Sequence, residues 1–373
     1  MILRLNKFGN RGIALIMVMM IVIVFAILAG GLAYSMKVET KLARNSSWDT
    51  ELEWLGRSGI EFAKYVLSQS SKGGQYDALN QIWAGGTGET NDALEGMSLT
   101  DNQLGHGTFS VKITDADRKF NINLAVVAPD LVNQAMILMG VDAAEGPQIV
   151  AAISDWIDRD DQTRPGGGDT ESDYYMSLKP PYTAKNGFID DLTELMMIKG
   201  ISPAMYYGSG SGLATANNNA GSQQFVRAAN RFNRRGGEEP SYAVGFQDLF
   251  TAISGRFINI NTASATVLQL FPDLDGASAQ AIIQRRAGPD GVEGNEDDMP
   301  FKGAGEVGMV PGMAPEIAQY LAKSPYVGVR SSTFEVQVDV QIDSVKRTYY
   351  AVLRRAGGGQ PNQQLVLLYM YWR

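Results

Sequence analysis

The chain has 373 residues, with 40 Asp and Glu, 32 Lys and Arg, one His and no Cys, so its formal charge is −8. The lack of Cys excludes disulfides and Cys-ligated metal centres, and a single His leaves little for a His-based triad. A sequence pI near 4.9 argues against general nucleic-acid binding, since phosphate contacts need clustered basic residues. At roughly 100–200 residues per domain, the length predicts two or three folding units.

The N-terminus carries a basic leader and an apolar run. Residues 1–12 contain three basic side chains and no acidic one, and no residue from Ile13 to Met36 is charged. An apolar helix of about 20 residues spans a bilayer core. Basic residues before the span predict a cytoplasmic N-terminus with the rest of the chain outside.

Three interpretations of this segment compete. It is a secretory signal cleaved after Ala33-Tyr34-Ser35, or a plain signal anchor. In the third, cleavage falls between Gly12 and Ile13, before the span, so the apolar helix is kept and begins with a free amine on Ile13.

The Gly12-Ile13 junction resembles the processing site of type IV pilins and type II secretion pseudopilins. In that family a prepilin peptidase cuts after the Gly and N-methylates the next residue. The family usually has Glu at the fifth mature position, where it is thought to pair with the amine of the subunit ahead. This sequence has Met17 there. A carboxylate without an amine to meet would be costly to bury, so Met17 fits a subunit at a filament tip, the pattern of the minor pseudopilin K family.

Beyond the span, apolar residues from Val38 to Leu67 recur mostly three or four apart, which predicts one continuing amphipathic helix. Gly73-Gly74 is expected to end it. Residues 73–107 are polar and Gly-rich and predict a loop with a short helix, anchored by Trp83. His106, in a Gly-rich turn, is expected to face solvent without a functional role.

Alternating residues predict strands at Thr108–Thr114 and Phe120–Asn123, and then only at Thr333–Ile342, Thr348–Arg355 and Gln364–Trp372. An antiparallel meander whose first strand lies 200 residues before the others must hold an inserted domain. We therefore predict an α+β fold, namely a pilin-like long N-terminal helix plus antiparallel sheet, interrupted by a helical insert. The predicted divisions are leader 1–12, transmembrane segment 13–36, pilin-like domain 37–124 and 331–373, and insert 125–330.

The insert repeats part of its own sequence, since Asn121-Ile122-Asn123-Leu124-Ala125 matches Asn259-Ile260-Asn261-Thr262-Ala263. Further along, Phe188–Leu195 is echoed by Phe301–Val307, and Gly200–Pro203 by Gly312–Pro315. The second copy resembles a helix-hairpin-helix element. Asp273 and Asp275 replace the glycines that would cradle a DNA phosphate in that motif. We therefore expect helix-hairpin-helix-like repeats that contact protein rather than nucleic acid.

The resemblance to pseudopilin K extends over essentially the whole chain. It rests on an ordered series that includes Ser154-Asp155-Trp156-Ile157-Asp158, Pro180-Pro181-Tyr182, Ile260-Asn261-Thr262-Ala263 and the final meander. The stretch from Gly168 to Asp173 is about two residues longer than the family pattern.

Two acidic loops, Asp155–Asp173 and Gly288–Asp298, suit Ca²⁺, which takes six to eight oxygen ligands. The resemblance implies calcium in the helical domain, and the second loop holds the equivalent place in the second copy. The predicted ligands are Asp158, Asp160, Asp169, Glu171, Asp173, Asp290, Glu293, Asp297 and Asp298. The alternative is a pair of solvated loops without metal.

The resemblance implies a single-pass inner-membrane protein with a periplasmic domain, which caps the tip of the type II secretion pseudopilus and supports its assembly. The implied partners are other minor pseudopilins, the major pseudopilin, prepilin peptidase and secreted exoproteins. No catalytic motif is present, so we do not expect an enzyme. Two alternatives stay open: a K-like minor pilin of a type IV or competence pilus with a DNA-binding insert, and a membrane-anchored hydrolase.

Overall fold

The computed structural model describes residues 11–87, 94, 96–160, 162–163, 172–208, 242–356 and 364–373. Its longest element is helix α1, Arg11–Gly73, which ends at the predicted Gly73-Gly74 pair. The side chains of residues 14–43 are exposed, whereas Leu52, Leu55, Ile60, Ala63, Val66 and Leu67 are buried. The N-terminal half of this helix is therefore apolar and exposed, and its C-terminal half packs on the folded domain.

The described strands are β1 Asn102–Leu104, β2 Gly107–Asp115, β3 Phe120–Asn121, β4 Phe250–Thr251, β5 Ile258–Asn259, β6 Val327–Gly328, β7 Thr333–Ile342, β8 Val345–Ala356 and β9 Gln364–Trp372. Five of them form one antiparallel sheet in the order β1-β2-β7-β8-β9. The remaining four form two parallel pairs, β3 with β4 and β5 with β6.

The further helices among the described residues are α2 Pro129–Met139, α3 Gly146–Ile157, α4 Ser172–Met176, α5 Pro203–Tyr207, α6 Phe246–Leu249, α7 Ala265–Leu268, α8 Gly276–Arg286 and α9 Pro315–Lys323. Short 3-10 helices lie at Ile82–Ala84, Ala116–Arg118, Ile122–Leu124, Leu192–Met197 and Ala304–Met309. The α+β class and the antiparallel sheet with its N-terminal helix agree with the sequence predictions.

Two hydrophobic cores are present. The first joins α1 to the inner face of the large sheet and includes Trp83, Phe109 and Phe334. The residues that form this core recur regularly along the chain, because buried and more exposed residues alternate in β2 and β7. The second core runs from Phe120 to Val327 and shares no residue with the first. The long excursion between β2 and β7 thus packs around a centre of its own.

Two local features differ from the sequence predictions. The strand expected at Phe120–Asn123 is only two residues long and pairs in parallel with β4 inside the insert. It stops because the Asn121 side chain accepts a hydrogen bond from the amide of Asn123 and starts a 3-10 turn. Strand β1 is not among the predicted strands, and its hairpin with β2 turns at Gly105 and His106. His106 is exposed and lies against Glu51 of α1, with Nδ1 at 3.0 Å from Oε1.

Candidate functional site

The exposed start of α1 is the first candidate functional feature. Within the described residues, α1 is the one helix long and apolar enough to cross a membrane, with a mean hydropathy of 3.0 in its most apolar window and none of that window buried. Met17 is 60% exposed. The predicted cleavage residues Gly12 and Ile13 lie in the first turn of this helix. Cleavage between them stays a prediction.

The duplicated sequence motif in the insert forms the same hydrogen bonds twice. In the first copy, Asn121 accepts from the amide of Asn123, and Asn123 both accepts from the Ile189 amide at 2.7 Å and donates to the Ile189 carbonyl at 3.0 Å. Asn123 also donates to the Ala252 carbonyl. One amide side chain thereby fixes a distant buried segment through its main chain.

The second copy repeats this arrangement. Asn259 accepts from the amide of Asn261, and Asn261 accepts from the Phe301 amide at 2.8 Å and donates to its carbonyl at 2.9 Å. A 3-10 helix follows each of the two bound residues, Leu192–Met197 after Ile189 and Ala304–Met309 after Phe301. The structure therefore pairs Phe301 with Ile189, one residue after the Phe188 that sequence matching suggests.

A buried ion pair lies where the insert meets the sheet. Arg355 of β8 donates to both carboxylate oxygens of Asp77, at 2.6 and 2.8 Å, and both side chains are at most 3% exposed. Asp77 also accepts from the amide of Ser331, and Arg355 donates to the Ser331 carbonyl. Asn259 donates to the Asp77 carbonyl at 3.0 Å. The loop after α1, the end of the insert and β8 thus share one polar cluster.

Asp115 and Asp117 complete this cluster at the end of β2. Asp115 accepts from Asn259 at 3.2 Å, and from Thr262 and Ser331 at 2.5 Å each. Burial raises the pKa of Asp115 to about 7, and the charge of Asp117 adds to the rise, while the hydroxyl donors act against it. The pKa of Asp117 is also raised by burial, against hydrogen bonds from Ser332 and the Gly255 amide. We name Asp77, Asp115, Asp117 and Arg355 the junction cluster.

The junction cluster is absent from the sequence predictions, which give no role to Asp77, Asp115, Asp117 or Arg355. Nothing local marks these residues, since their partners lie up to 278 positions away along the chain. The one available signal is the carboxylate of Asp115 at the buried phase of an alternating strand, where an apolar residue is expected.

The first acidic loop follows α3. Asp158 caps the C-terminus of α3, Asp160 accepts from the amide of Gln162, and Asp173 lies in α4. Asn186 donates to the Asp160 carbonyl at 3.0 Å, and its own Oδ1 is buried without a hydrogen-bond donor. The predicted ligands Asp169 and Glu171 lie outside the described residues.

The second acidic loop follows α8 and contacts the loop after α1, where the Thr87 amide donates to the Gly294 carbonyl. Asp290 donates through its amide to Asp297 at 3.2 Å, and Asp298 accepts from the Gly294 amide at 2.7 Å. Glu293 instead forms an ion pair with Arg286, in which Arg286 Nε lies 2.5 Å from Glu293 Oε1. Burial, together with the charges of Glu293 and Asp297, raises the pKa of Asp298.

The donor chemistry of the second loop fits a hard cation, although its acids do not converge. The side-chain oxygens Asn295 Oδ1 and Asp298 Oδ1 are buried without a donor. In the parts of the chain that the structure describes, no three His, Asp or Glu side chains are grouped so as to hold a metal. An ion here would therefore need amide, main-chain or water oxygens beside Asp290, Asp297 and Asp298, with Glu293 the weakest of the predicted ligands.

Comparison with known proteins finds relatives of one family. Two family models described as type II secretion system protein K match residues 118–208 and 258–321, one in each copy of the insert motif. Protein K of Klebsiella pneumoniae is 26% identical over 208 residues, which cover 53% of this chain and only 60% of that protein. Protein K of Pseudomonas aeruginosa is 26% identical over 304 residues, 78% of this chain and 76% of that protein.

A solved structure agrees in fold. It is a chain of the GspK-GspI-GspJ complex from the type 2 secretion system of enterotoxigenic Escherichia coli. The TM-score is 0.59 at 17% sequence identity, with 89% of this chain and 99% of that chain covered. The two family models and the relatives thus show that this chain is similar to type II secretion system protein K, and the solved structure agrees with it in fold.

Proposed function

We propose that this protein is a minor pseudopilin that caps the tip of the periplasmic pseudopilus of a type II secretion system. It would do so with other minor pseudopilins and support filament assembly while folded proteins are exported across the outer membrane. The observation that carries the proposal is the exposed, uncharged stretch of α1 from Ala14 to Met36, with Met17 at the fifth position after the proposed cleavage site.

The exposed part of α1 needs apolar surroundings in an assembly. A fully exposed apolar helix is stable only in lipid or against other apolar helices. A subunit inside a filament has a neighbour whose terminal amine can pair with a carboxylate at the fifth position, whereas a subunit at the tip has none. An unpaired carboxylate in an apolar helix array costs free energy, and Met17 avoids that cost.

The insert supports the same position. It has a separate hydrophobic core and is joined to the sheet at the junction cluster, so it enlarges the subunit beyond the helix and sheet. A wide subunit is accommodated most easily where one side of the filament is open. The partners we propose are other minor pseudopilins, the major pseudopilin, prepilin peptidase during processing and secreted exoproteins. The related solved structure is itself a complex of GspK with GspI and GspJ.

The proposed topology follows from the leader. The basic residues before the span keep the N-terminus cytoplasmic, α1 crosses the inner membrane once, and the sheet and insert lie in the periplasm. We propose that the divisions between leader, span, pilin-like domain and insert follow the predicted boundaries.

The first test is processing of the full chain with and without prepilin peptidase, measured by mass spectrometry of the mature N-terminus. We expect N-methylated Ile13 only when the peptidase is present. A chain that starts after Ser35, or that stays intact with the peptidase, would contradict the proposal.

The second test concerns the tip. In a host that lacks its own protein K, Met17→Glu should reduce the secretion of an exported enzyme, and the matched apolar variant Met17→Leu should preserve it. Equal secretion by both variants would remove the argument from an unpaired carboxylate.

We further propose that Ca²⁺ orders the acidic loops. In the second loop, Asp290, Asp297 and Asp298 would supply carboxylates and Asn295 an amide oxygen. In the first, Asp158, Asp160 and Asp173 would act with Asp169 and Glu171. The ion would offset repulsion among like charges. Thermal unfolding in Ca²⁺ and in chelator should show a higher Tm with Ca²⁺, reduced by Asp298→Asn. A Tm indifferent to Ca²⁺ would oppose the proposal.

The alternative of a DNA-binding insert gains no support from the comparisons. We propose that the two copies are helix-hairpin-helix-like folding units that contact protein. In the second copy, Asp275 is the N-cap of α8 and accepts from the Ser278 amide. Its carboxylate thus occupies the helix N-terminus that a phosphate would need.

A further inference from the structure

The two edges of the large sheet differ strongly. Strand β1 closes one edge with three residues. Strand β9 forms the other edge with nine residues, none of them charged, and no described residue pairs with its outer side. Natural sheets protect an edge by making it short or by placing charges on it. Strand β1 is short, whereas β9 has neither protection.

The side chains of β9 are also exposed. Six large apolar residues are between 37% and 61% exposed, namely Val366, Leu367, Leu368, Tyr369, Tyr371 and Trp372. Met370 packs against the first core, which anchors the strand on its inner face. The free edge is therefore held in place by β8 and the core beneath it, and it presents apolar side chains around unpaired backbone.

The backbone of β9 has donors and acceptors directed outward. The Arg373 amide donates to the Thr348 carbonyl at 3.0 Å, so this residue faces β8. Because inward- and outward-facing residues alternate in an antiparallel pair, the N–H and C=O groups of Met370 and Trp372 point to the open side. This spacing matches the hydrogen bonds that an added strand would form.

A groove lined by tyrosines adjoins this edge on the outer face of the sheet. Tyr350 and Tyr371 stack with centroids 5.3 Å apart, and Tyr369 stacks on Tyr371 at 6.3 Å. Two cavities of about 280 and 310 Å³ meet here and share Glu335 and Tyr369 in their linings. The edge and the groove thus form one continuous surface.

The carboxylate of Glu335 favours a cation near Tyr369, although Lys112, Arg118 and Lys119 also line the two cavities. Burial raises the pKa of Tyr369 to about 12, and the charges of Glu335 and Asp191 contribute to the rise. Lys119, which also lines the groove, already donates to the Gln247 carbonyl at 2.6 Å. The same strand shows the contact that a cation can form, because the guanidinium of Arg347 lies 4.3 Å from the ring centroid of Trp372.

We propose that the open edge of β9 is a docking site for an extended segment of a partner protein. The segment adds to the sheet as a further strand and places an arginine or lysine side chain against Tyr369 and Tyr371, towards Glu335. The backbone supplies affinity, and the tyrosines and carboxylates select a basic side chain. This docking site does not depend on the proposed place at a filament tip.

Two synthetic ten-residue peptides of alternating Thr and Val test the proposal, one with a central Arg and one with a central Glu. Binding of each labelled peptide to the full chain in detergent is measured by fluorescence anisotropy at low salt. We expect the Arg peptide to bind at least tenfold more tightly than the Glu peptide. Equal affinities, or no binding of either peptide, would overturn the proposal.

Variants of the protein separate the contribution of the β9 backbone to peptide binding from the contribution of the Glu335 charge. Met370→Pro removes an outward N–H without removing a hydrogen bond to β8, and it should weaken both peptides at least fivefold. Glu335→Gln should reduce the preference for Arg, whereas Glu316→Gln in α9 should not. Because Glu335 is exposed, that variant keeps the test valid if Met370→Pro fails to fold. If sedimentation shows a dimer that Met370→Pro dissociates, β9 pairs with a second copy and the proposal is wrong.

Discussion

The two hydrophobic cores of this molecule are held together in different ways. The core between α1 and the sheet is built from long regular elements whose buried residues recur with helical or strand spacing. The core of the insert is built from short helices and loops, and paired asparagines fasten its distant segments through main-chain hydrogen bonds. Both cores bury many apolar side chains, but the insert also depends on a few polar side chains that each hold several main-chain groups. Single substitutions should therefore have more uneven effects in the insert and at its junction.

The largest effect is expected at the junction cluster, where the two cores meet. Asp77→Ala leaves the buried guanidinium of Arg355 without its carboxylate and the Ser331 amide without its acceptor. Removal of one partner from a buried ion pair costs about 3–5 kcal/mol. The measurement is urea unfolding of the full chain in detergent. The exposed carboxylate of Glu53, which pairs with Arg57 on α1, gives the control, and Glu53→Gln should lie within about 0.5 kcal/mol of wild type. If the two variants are equally stable, Asp77 does not join the cores.

The next effect compares the two copies within the insert. Asn261→Ala leaves the buried Phe301 amide and carbonyl without partners, and each unsatisfied group costs about 1–3 kcal/mol. Asn123→Ala removes the equivalent contacts to Ile189, but this site is only partly buried and water can replace them. We therefore expect a loss of about 2–4 kcal/mol for Asn261→Ala and a smaller one for Asn123→Ala, by the same urea measurement. The reverse order would show that the copies do not share one mechanism.

The regular core could be predicted well from the sequence because that core follows simple periods. The end of α1 at Gly73 and the limits of β7 and β9 agree with the predictions. The repeated Asn-Ile-Asn motif and the echoed segments at Phe188 and Phe301 are visible in the sequence. The hydrogen bonds that join them are not, because the loops between them have no period. The junction cluster was invisible for the same reason, because its contacts are set by how the two cores meet.

The pH dependence of stability provides a third comparison, since the titrating carboxylate lies between the cores. The pKa of Asp115 is raised from 3.8 to about 7 by burial and by Asp117. In the unfolded chain this carboxyl has released its proton by about pH 5, whereas in the folded chain it holds the proton until about pH 7. The contribution of Asp115 is therefore greatest at low pH and is lost as the pH rises through 7, with a slope of at most about 1.4 kcal/mol per pH unit.

The measurement is urea unfolding between pH 5 and 8 for wild type and Asp115→Asn. We expect the difference in unfolding free energy between them to change across this range, with wild type losing stability relative to the variant as the pH rises. Because the other titrating groups are common to both chains, a difference that is constant with pH would mean that Asp115 is already ionised at pH 5.

The smallest effect belongs to the regular core and shows how well it tolerates change. An added methyl at Gly59 of α1 would overlap a methyl of Val338 and lie 3.3 Å from the Phe109 ring. Overpacking of this kind costs about 1–3 kcal/mol, but alanine gains about 1 kcal/mol over glycine within a helix. We therefore expect Gly59→Ala to destabilise the chain by about 1 kcal/mol in the same urea measurement. Gly30, which has no neighbour within 4 Å, provides the matched helix control, and Gly30→Ala should leave the unfolding midpoint unchanged or raise it. A loss at Gly59 as large as that of Asp77→Ala would mean that the helix and sheet cannot adjust to one methyl group. The contrast between a core of regular packing and one that depends on a few polar side chains would then be wrong.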